Sequence, residues 1–290
     1  MKRLLAAVLC MLLLTSCVSQ PHYEMRQNLG IYFTNADSIV ETIRAALVRR
    51  DYRITVAYSS HRDNMEVLGT IVRELMEAAL EETESPVEGD YLRFQMGGYD
   101  MQYSYTRDDE RYCYNITIIP QYYTTAAQEG AVTERVQAVM DSFGFTDHTT
   151  DLQKVQMIYA FVLNNTRYDE VHAKNPQHHL KTTAYAALLQ GQAVCQGYAV
   201  LLYRLLREAG IPARVITGTA GGVYHAWDLV GIGGMYYHVD ATWDDRNGNS
   251  ACFLKSDADL ADHERDAAYA DADFYARYPM ATQSITKEDV

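Results

Sequence analysis

Residues 193–210 read Ala193-Val-Cys-Gln-Gly-Tyr-Ala-Val-Leu-Leu-Tyr-Arg-Leu-Leu-Arg-Glu-Ala-Gly210, and this stretch decides the fold. Tyr198, Leu201, Leu202, Leu205 and Ala209 recur at helical spacing, with Arg204, Arg207 and Glu208 on the other side. Gly210 and Pro212 stop the helix. Cys195 falls in its first turn, where open backbone N–H groups and the helix dipole favour a thiolate. Gly197 has no side chain, so another segment can approach closely. A cysteine in this setting is a nucleophile in waiting.

A nucleophile needs a base. Val223–Ile232 and Met235–Trp243 read as strands, and Gly233-Gly234 between them reads as a two-residue hairpin turn. In that register paired residues have numbers summing to 467, the sum of the two turn positions. His225 then faces Thr242, and Asp240 lies diagonally across on the same face, within reach of a long side chain. A carboxylate so placed orients an imidazole and stabilises its charge. A one-residue slip would destroy the arrangement. His238 shares the face of Asp240 and is a rival base, but as a same-strand neighbour it is less well oriented by that acid.

Three blocks also carry a resemblance. Ala193-Val-Cys-Gln-Gly-Tyr-Ala, His225-Ala-Trp and Tyr237-His-Val-Asp-Ala-Thr-Trp-Asp244 resemble, in that order, the motif blocks of bacterial transglutaminase-like superfamily proteins. The likeness is clear over residues 151–245. It implies a papain-like α+β core, helices packed on an antiparallel sheet, with Cys195 as nucleophile, His225 as base and Asp240 as orienting acid. It further implies thiol-dependent acyl transfer on an amide, either peptidase or amidase hydrolysis or protein cross-linking. Kinship does not choose between these outcomes, nor exclude a binding or assembly lipoprotein that keeps the fold without catalysis. Asp228 is a departure, standing where relatives carry Asn. Gln192 and Gln196 flank the nucleophile, and either amide can join the Cys195 N–H in holding an oxyanion; Gln192 is the preferred reading.

The first residues are an address. Lys2 and Arg3 precede an apolar run, Leu4–Leu14, that is too short to span a bilayer. Leu14-Thr-Ser-Cys17 matches the lipobox of bacterial lipoproteins, in which the cysteine is acylated and becomes the mature N-terminus. The expected product is exported and held on a bacterial membrane by its lipid. Loss of Lys2 and Arg3 with the leader moves the net charge from −13 to −15. So acidic a chain has no electrostatic reason to bind nucleic acid or anionic headgroups. Its expected partner is a protein or peptide substrate.

Four segments follow: a signal peptide, residues 1–16; a tether, 17–30; a small N-terminal α/β domain, 31–128; and the transglutaminase-like catalytic domain, 129–290. In the N-terminal domain Ala36–Val48 reads as a helix and Tyr52–Tyr58 as a strand. A helical stripe runs from Met65 through Glu82, and Tyr99–Tyr105 with Tyr112–Ile118 forms a hairpin. The tyrosine density fits strand faces better than a sugar site. Further on, helices are read at 126–143, from Asp151 to about Asn164 with Thr150 or Asp151 as cap, and at Thr182–Leu189. Ala251–Leu254 reads as a short strand or edge, and Asp257–Asp273 as an acidic surface segment.

No cofactor is expected, since no glycine-rich phosphate loop is present. His172, His178 and His179 lack a second ligand cluster at metal spacing, and the acidic tail lacks the glycine and final glutamate of a calcium loop. Both read as solvated. Past Cys17 three cysteines remain. An odd count leaves one thiol free, and the helix start selects Cys195; whether Cys113 and Cys252 pair stays open, with no bridge the favoured reading.

Overall fold

The computed structural model describes residues 36–107, 110–248 and 250–286. The expected signal peptide, the tether and Cys17 lie outside them. The chain divides into two compact units, one holding the segments up to Thr83 and Met96–Tyr122, the other Glu84–Gln95 and the chain from Tyr123 onward.

The first unit contains α1 (Ala36–Val48), β1 (Ile54–Ser60), α2 (Leu68–Ala79), β2 (Met96–Arg107) and β3 (Tyr112–Tyr122). Its antiparallel sheet has the order β1-β3-β2. The hairpin pairs Met101 with Ile118 and Tyr105 with Tyr114. Along β1 the side chains of Ile54, Val56 and Tyr58 are buried while Thr55 and Ala57 are exposed, the period of two that the sequence carries. Tyr58 stacks on Tyr114 with ring centroids 4.8 Å apart, and both are buried. These tyrosines are core. The stripe read to Glu82 ends as an α-helix at Ala79.

The second unit contains α3 (Asp90–Arg93), α4 (Ala126–Phe143), α5 (Asp151–Asn165), β4 (Arg167–Tyr168), β5 (Gln192–Ala193), α6 (Cys195–Glu208), β6 (Ala213–Ala220), β7 (Val223–Ile232) and β8 (Met235–Val239), followed by α7 (Ala241–Asn247), β9 (His263–Arg265) and α8 (Ala272–Arg277). Capping boxes start α4, from Thr125 and Gln128, and α5, from Thr150 and Gln153. An antiparallel sheet, β8-β7-β6-β9, forms the centre. Its Val215, Val230 and Val239 join the core built around α6, whereas Ile216, Trp227 and Leu229 bury against Phe274 of α8. Both faces are therefore covered.

Five expectations are corrected. Residues 84–95, assigned from sequence to the N-terminal domain, belong with the second unit because they cover α6. Gln196 donates to the Phe94 carbonyl, and the Arg204 guanidinium lies 5.2 Å from the Tyr91 ring centre. For the same reason α6 has no solvated face at Arg204, which is 2 % exposed. Thr182–Leu189 is not an α-helix but a 3-10 turn, His179–Thr182, followed by a π-helical turn, Ala186–Gln190. Ala251–Leu254 is not a strand; it runs beside β8, with Cys252 accepting from Asp240 N at 3.0 Å. The acidic stretch 257–273 is no mere surface segment, since it contains β9, which pairs with β6. Three residues are too few to show a strand period.

Candidate active site

The approach to Cys195 is tightly pinned. β4 and β5 pair in parallel, with Asp169 N donating to Ala193 O at 2.9 Å, and Val194 N donating to Lys181 O at 3.0 Å. A Cβ on Gly197 would lie 2.9 Å from the Lys181 carbonyl oxygen and 2.6 Å from Ala193 Cβ. Only glycine permits this approach. Val194, the residue before α6, has no capping side chain. The N–H groups of Cys195 and Gln196 precede the first intrahelical donors, those of Gly197 and Tyr198. Tyr168 lies close enough to feel the Cys195 charge, and the Arg246 guanidinium sits 4.4 Å from its ring centre.

The hairpin has the register read from the sequence: Asp228 pairs with Val239 and Ile232 with Met235. Gly233 and Gly234 both take positive φ, 61° and 83°, as the tight turn requires. His225 Nε2 bonds Asp240 Oδ2 at 2.6 Å, and both residues are buried. One detail differs. Thr242 does not face His225, because β8 stops at Val239 and Asp240 becomes the N-cap of α7. Its Oδ1 accepts from Trp243 N at 3.0 Å. The carboxylate therefore has one oxygen on the helix and the other on the imidazole.

Cys195 lies close enough to the same ring to raise its pKa. Since Nε2 faces Asp240, Nδ1 is the ring nitrogen left for the sulfur. Burial by itself lowers the pKa of His225, but its bonds to Asp240 and Cys195, and the negative charge of both, outweigh burial and hold it well above the usual imidazole range. Burial likewise opposes ionisation of Asp240, yet the bonds from His225 and His263 keep it below the usual carboxylate range. Trp243 packs its edge on His225, ring centres 5.4 Å apart. The arrangement brings a thiol, an imidazole and a buried carboxylate together at the start of α6.

The rival residues are otherwise engaged. His238 Nδ1 accepts from Trp227 Nε1 at 2.8 Å, its Nε2 bonds Asp257 at 2.7 Å, and burial lowers its pKa. Gln196 is committed to Phe94 O, whereas Gln192 is exposed on β5. Cys113 and Cys252 are free thiols rather than a bridge. Burial, followed by the nearby Asp244 charge, pushes the Cys252 thiol up, which suits a core residue.

The sequence reading missed His263. Its side chain is fully buried, and its Nε2 reaches Asp240 Oδ2 at 2.9 Å while its Nδ1 meets Asp262 Oδ1 at 2.8 Å. No local signal marks it, because it lies 23 residues past Asp240 in an acidic stretch.

Among the described residues two groups bring three metal-type ligand atoms within 4.8 Å of one another: His225, Asp240 and His263, and Asp169, His172 and His178. In the first, protons on the imidazoles satisfy the shared Asp240 oxygen. In the second, Asp169 already accepts from the backbone and ring of His172 at 3.0 and 2.9 Å. His179, read with His172 and His178 from sequence, instead stacks on Tyr123 at 4.7 Å.

Asp228, the departure from the motif, is 1 % exposed on β7, and its Oδ1 has no hydrogen-bond partner among the described residues. Burial, then the charges of Asp240 and Asp90, raises its pKa well above the ordinary value, which favours its protonated form. The folded state therefore binds the proton more tightly than the unfolded chain. That stability is complete below the unfolded pKa of about 3.9 and is lost as pH rises through the folded value. Asp228→Asn should match the parent in melting temperature near pH 4 and exceed it increasingly toward pH 8. A variant less stable than the parent at pH 8 would contradict the protonated assignment.

Residues 142–241, about a third of the chain and including Cys195, His225 and Asp240, match the transglutaminase-like superfamily model. Human kyphoscoliosis peptidase is 30% identical over 108 residues, covering 32% of this chain and 16% of that protein. The mouse protein is 29% identical over the same length. The matched region thus spans about a sixth of these curated relatives. A crystal structure described as a TGase aligns over 66% of this chain and 50% of its own, with 18% identity and a TM-score of 0.36. A candidate cysteine protease from Cytophaga hutchinsonii aligns over 51% of this chain and 65% of its own, with 19% identity and a TM-score of 0.31. The chain carries a transglutaminase-like superfamily domain, in which mixed helices pack with antiparallel sheets.

Proposed function

We propose that the protein is a thiol-dependent acyl-transfer enzyme acting on amides of proteins or peptides, with hydrolysis as its main outcome. The observation that carries this reading is the His225 ring, bonded through Nε2 to buried Asp240 at 2.6 Å, with Cys195 close enough to raise the ring's pKa. Cys195 passes its thiol proton to His225 Nδ1, and its sulfur attacks the amide carbonyl carbon. The carbonyl oxygen takes up negative charge beside the Cys195 N–H and the Gln192 amide. His225 gives its Nδ1 proton to the leaving nitrogen, the C–N bond breaks, and a thioester remains on Cys195. Water then adds to the thioester as His225 removes its proton. The C–S bond breaks, the acid leaves, and the thiol is restored. A primary amine in place of water would make the reaction a cross-link. Selective aminolysis requires an amine groove that keeps water from the thioester.

The test offers glutamine-containing peptides with and without a labelled primary amine, with Cys195→Ala as control. Cleaved or deamidated products that depend on Cys195, with negligible amine incorporation, are expected. Efficient incorporation at millimolar amine would make the protein a cross-linking transglutaminase. A reactive thiol without either product would leave a binding or assembly lipoprotein as the better reading.

We further infer that the protein is exported and lipid-anchored to a bacterial membrane through Cys17, from the Leu14-Thr-Ser-Cys17 sequence behind a short apolar run. Intact mass from cells that lipidate proteins is expected to show a chain beginning at acylated Cys17 that partitions into detergent. An unmodified N-terminus would refute the anchor.

A further inference from the structure

We propose that His263 is a positioning residue of this site, fixing the Asp240 carboxylate so that it holds His225 toward Cys195. The proposal rests on the reading of Cys195, His225 and Asp240 as the reactive group. Three donors converge on Asp240: Trp243 N takes Oδ1 at 3.0 Å, while the Nε2 atoms of His225 and His263 share Oδ2 at 2.6 and 2.9 Å. Trp243 N and His225 hold one oxygen each, and His263 adds a second donor to the oxygen that faces His225.

His263 is itself held. Its outer nitrogen meets Asp262 Oδ1 at 2.8 Å, so both ring nitrogens face carboxylate oxygens. The rings of Trp227 and Trp243 pack edge-on against it, centres 5.1 and 5.7 Å away. β9 delivers the histidine by pairing His263 with Ala220 and Arg265 with Gly218. A Cβ on Gly218 would fall 2.0 Å from the Glu264 carbonyl oxygen, so the strand can lie this close only over glycine. The result is a chain of contacts, Asp262–His263–Asp240–His225–Cys195, from the surface to the sulfur. Asp262 is 56% exposed at its side chain and forms the outer end.

The experiment measures the alkylation rate of Cys195 by iodoacetamide at pH 6 in full-length protein, with melting temperature as the check on folding. A hydrogen bond to a charged group is of a size that changes such rates about tenfold. His263→Leu, which keeps the bulk and loses the donor, and His263→Asn, too short to reach Asp240, are each expected to slow Cys195 about tenfold. His263→Gln, whose amide can reach, should stay within about threefold of the parent. Asp262→Asn, an exposed change that folding tolerates, should slow it about threefold. Where peptide turnover is measurable, kcat should fall in the same order with KM held. A merely structural role predicts lower melting temperatures and equal alkylation in every folded variant; that result, or an Asp262→Asn rate equal to the parent's, would overturn the proposal. So would a parental Cys195 no more reactive than Cys113. Absence of peptide turnover by the parent would remove the enzymatic reading alone, because alkylation reports on the sulfur directly.

Discussion

Asp240→Asn is expected to lower turnover by about 10^3–10^4-fold while the protein stays folded. Asp240 has two separable tasks. As N-cap of α7, Asp240 accepts from Trp243 N through Oδ1, and an Asn oxygen does this equally well. Toward His225 the acceptor Oδ2 becomes an amide nitrogen, which only donates. His225 Nε2 must then accept, which leaves its proton on Nδ1, the nitrogen that should take the proton of Cys195. The base is present but in the wrong tautomer. The negative charge that holds the His225 pKa up is lost as well, and burial then drives it down. Without a known substrate, iodoacetamide reports the same change. At pH 6, Cys195 should alkylate markedly more slowly in the variant than in the parent. A variant that alkylates like the parent at pH 6, with an unchanged melting temperature, would remove Asp240 from the site.

The second large effect concerns stability. Asp90→Ala is expected to destabilise the second unit by about 3–5 kcal/mol, the cost of breaking a buried ion pair from one side. Asp90 is 1 % exposed. Its carboxylate accepts from Arg214 Nε at 2.7 Å, from Arg214 Nη2 at 3.2 Å and from Val215 N at 2.8 Å. Removal strands a guanidinium that lies over the rings of Tyr278 and Phe274, 4.6 and 5.6 Å from their centres, and leaves a strand N–H without its acceptor. The exposed pair Arg49–Asp51, at a similar 2.7 Å, should contribute less than about 1 kcal/mol, because water screens it. Urea unfolding checks both: the midpoint should drop sharply for Asp90→Ala and hardly at all for Asp51→Ala, each with an unchanged slope. Equal small shifts would mean that the Asp90 pair adds nothing beyond a surface pair.

What the sequence determined by itself follows from local chemistry. The apolar spacing of 198–209 and the stop at Gly210 give α6 with Cys195 in its first turn, and the Gly233-Gly234 turn sets a register in which His225 and Asp240 share a face. A period-two strand pair joined by two glycines has few alternative registers, so two numbers and a parity place an acid beside a base. The alternation of Ile54–Tyr58 is equally legible. Tertiary structure alone decided the rest. Asp240 reaches His225 as a helix cap rather than as a strand residue, because β8 ends one residue earlier. Arg204 looks solvent-facing from its helix yet is buried, because residues 84–95 arrive from a distant part of the sequence to cover it. His263 sits in a three-residue strand within an acidic run, where periodicity has too few positions to register. Its role arises from pairing across β6 with residues more than forty positions earlier. Contacts of that kind are chosen by the packed sheet, and no window of local sequence encodes them.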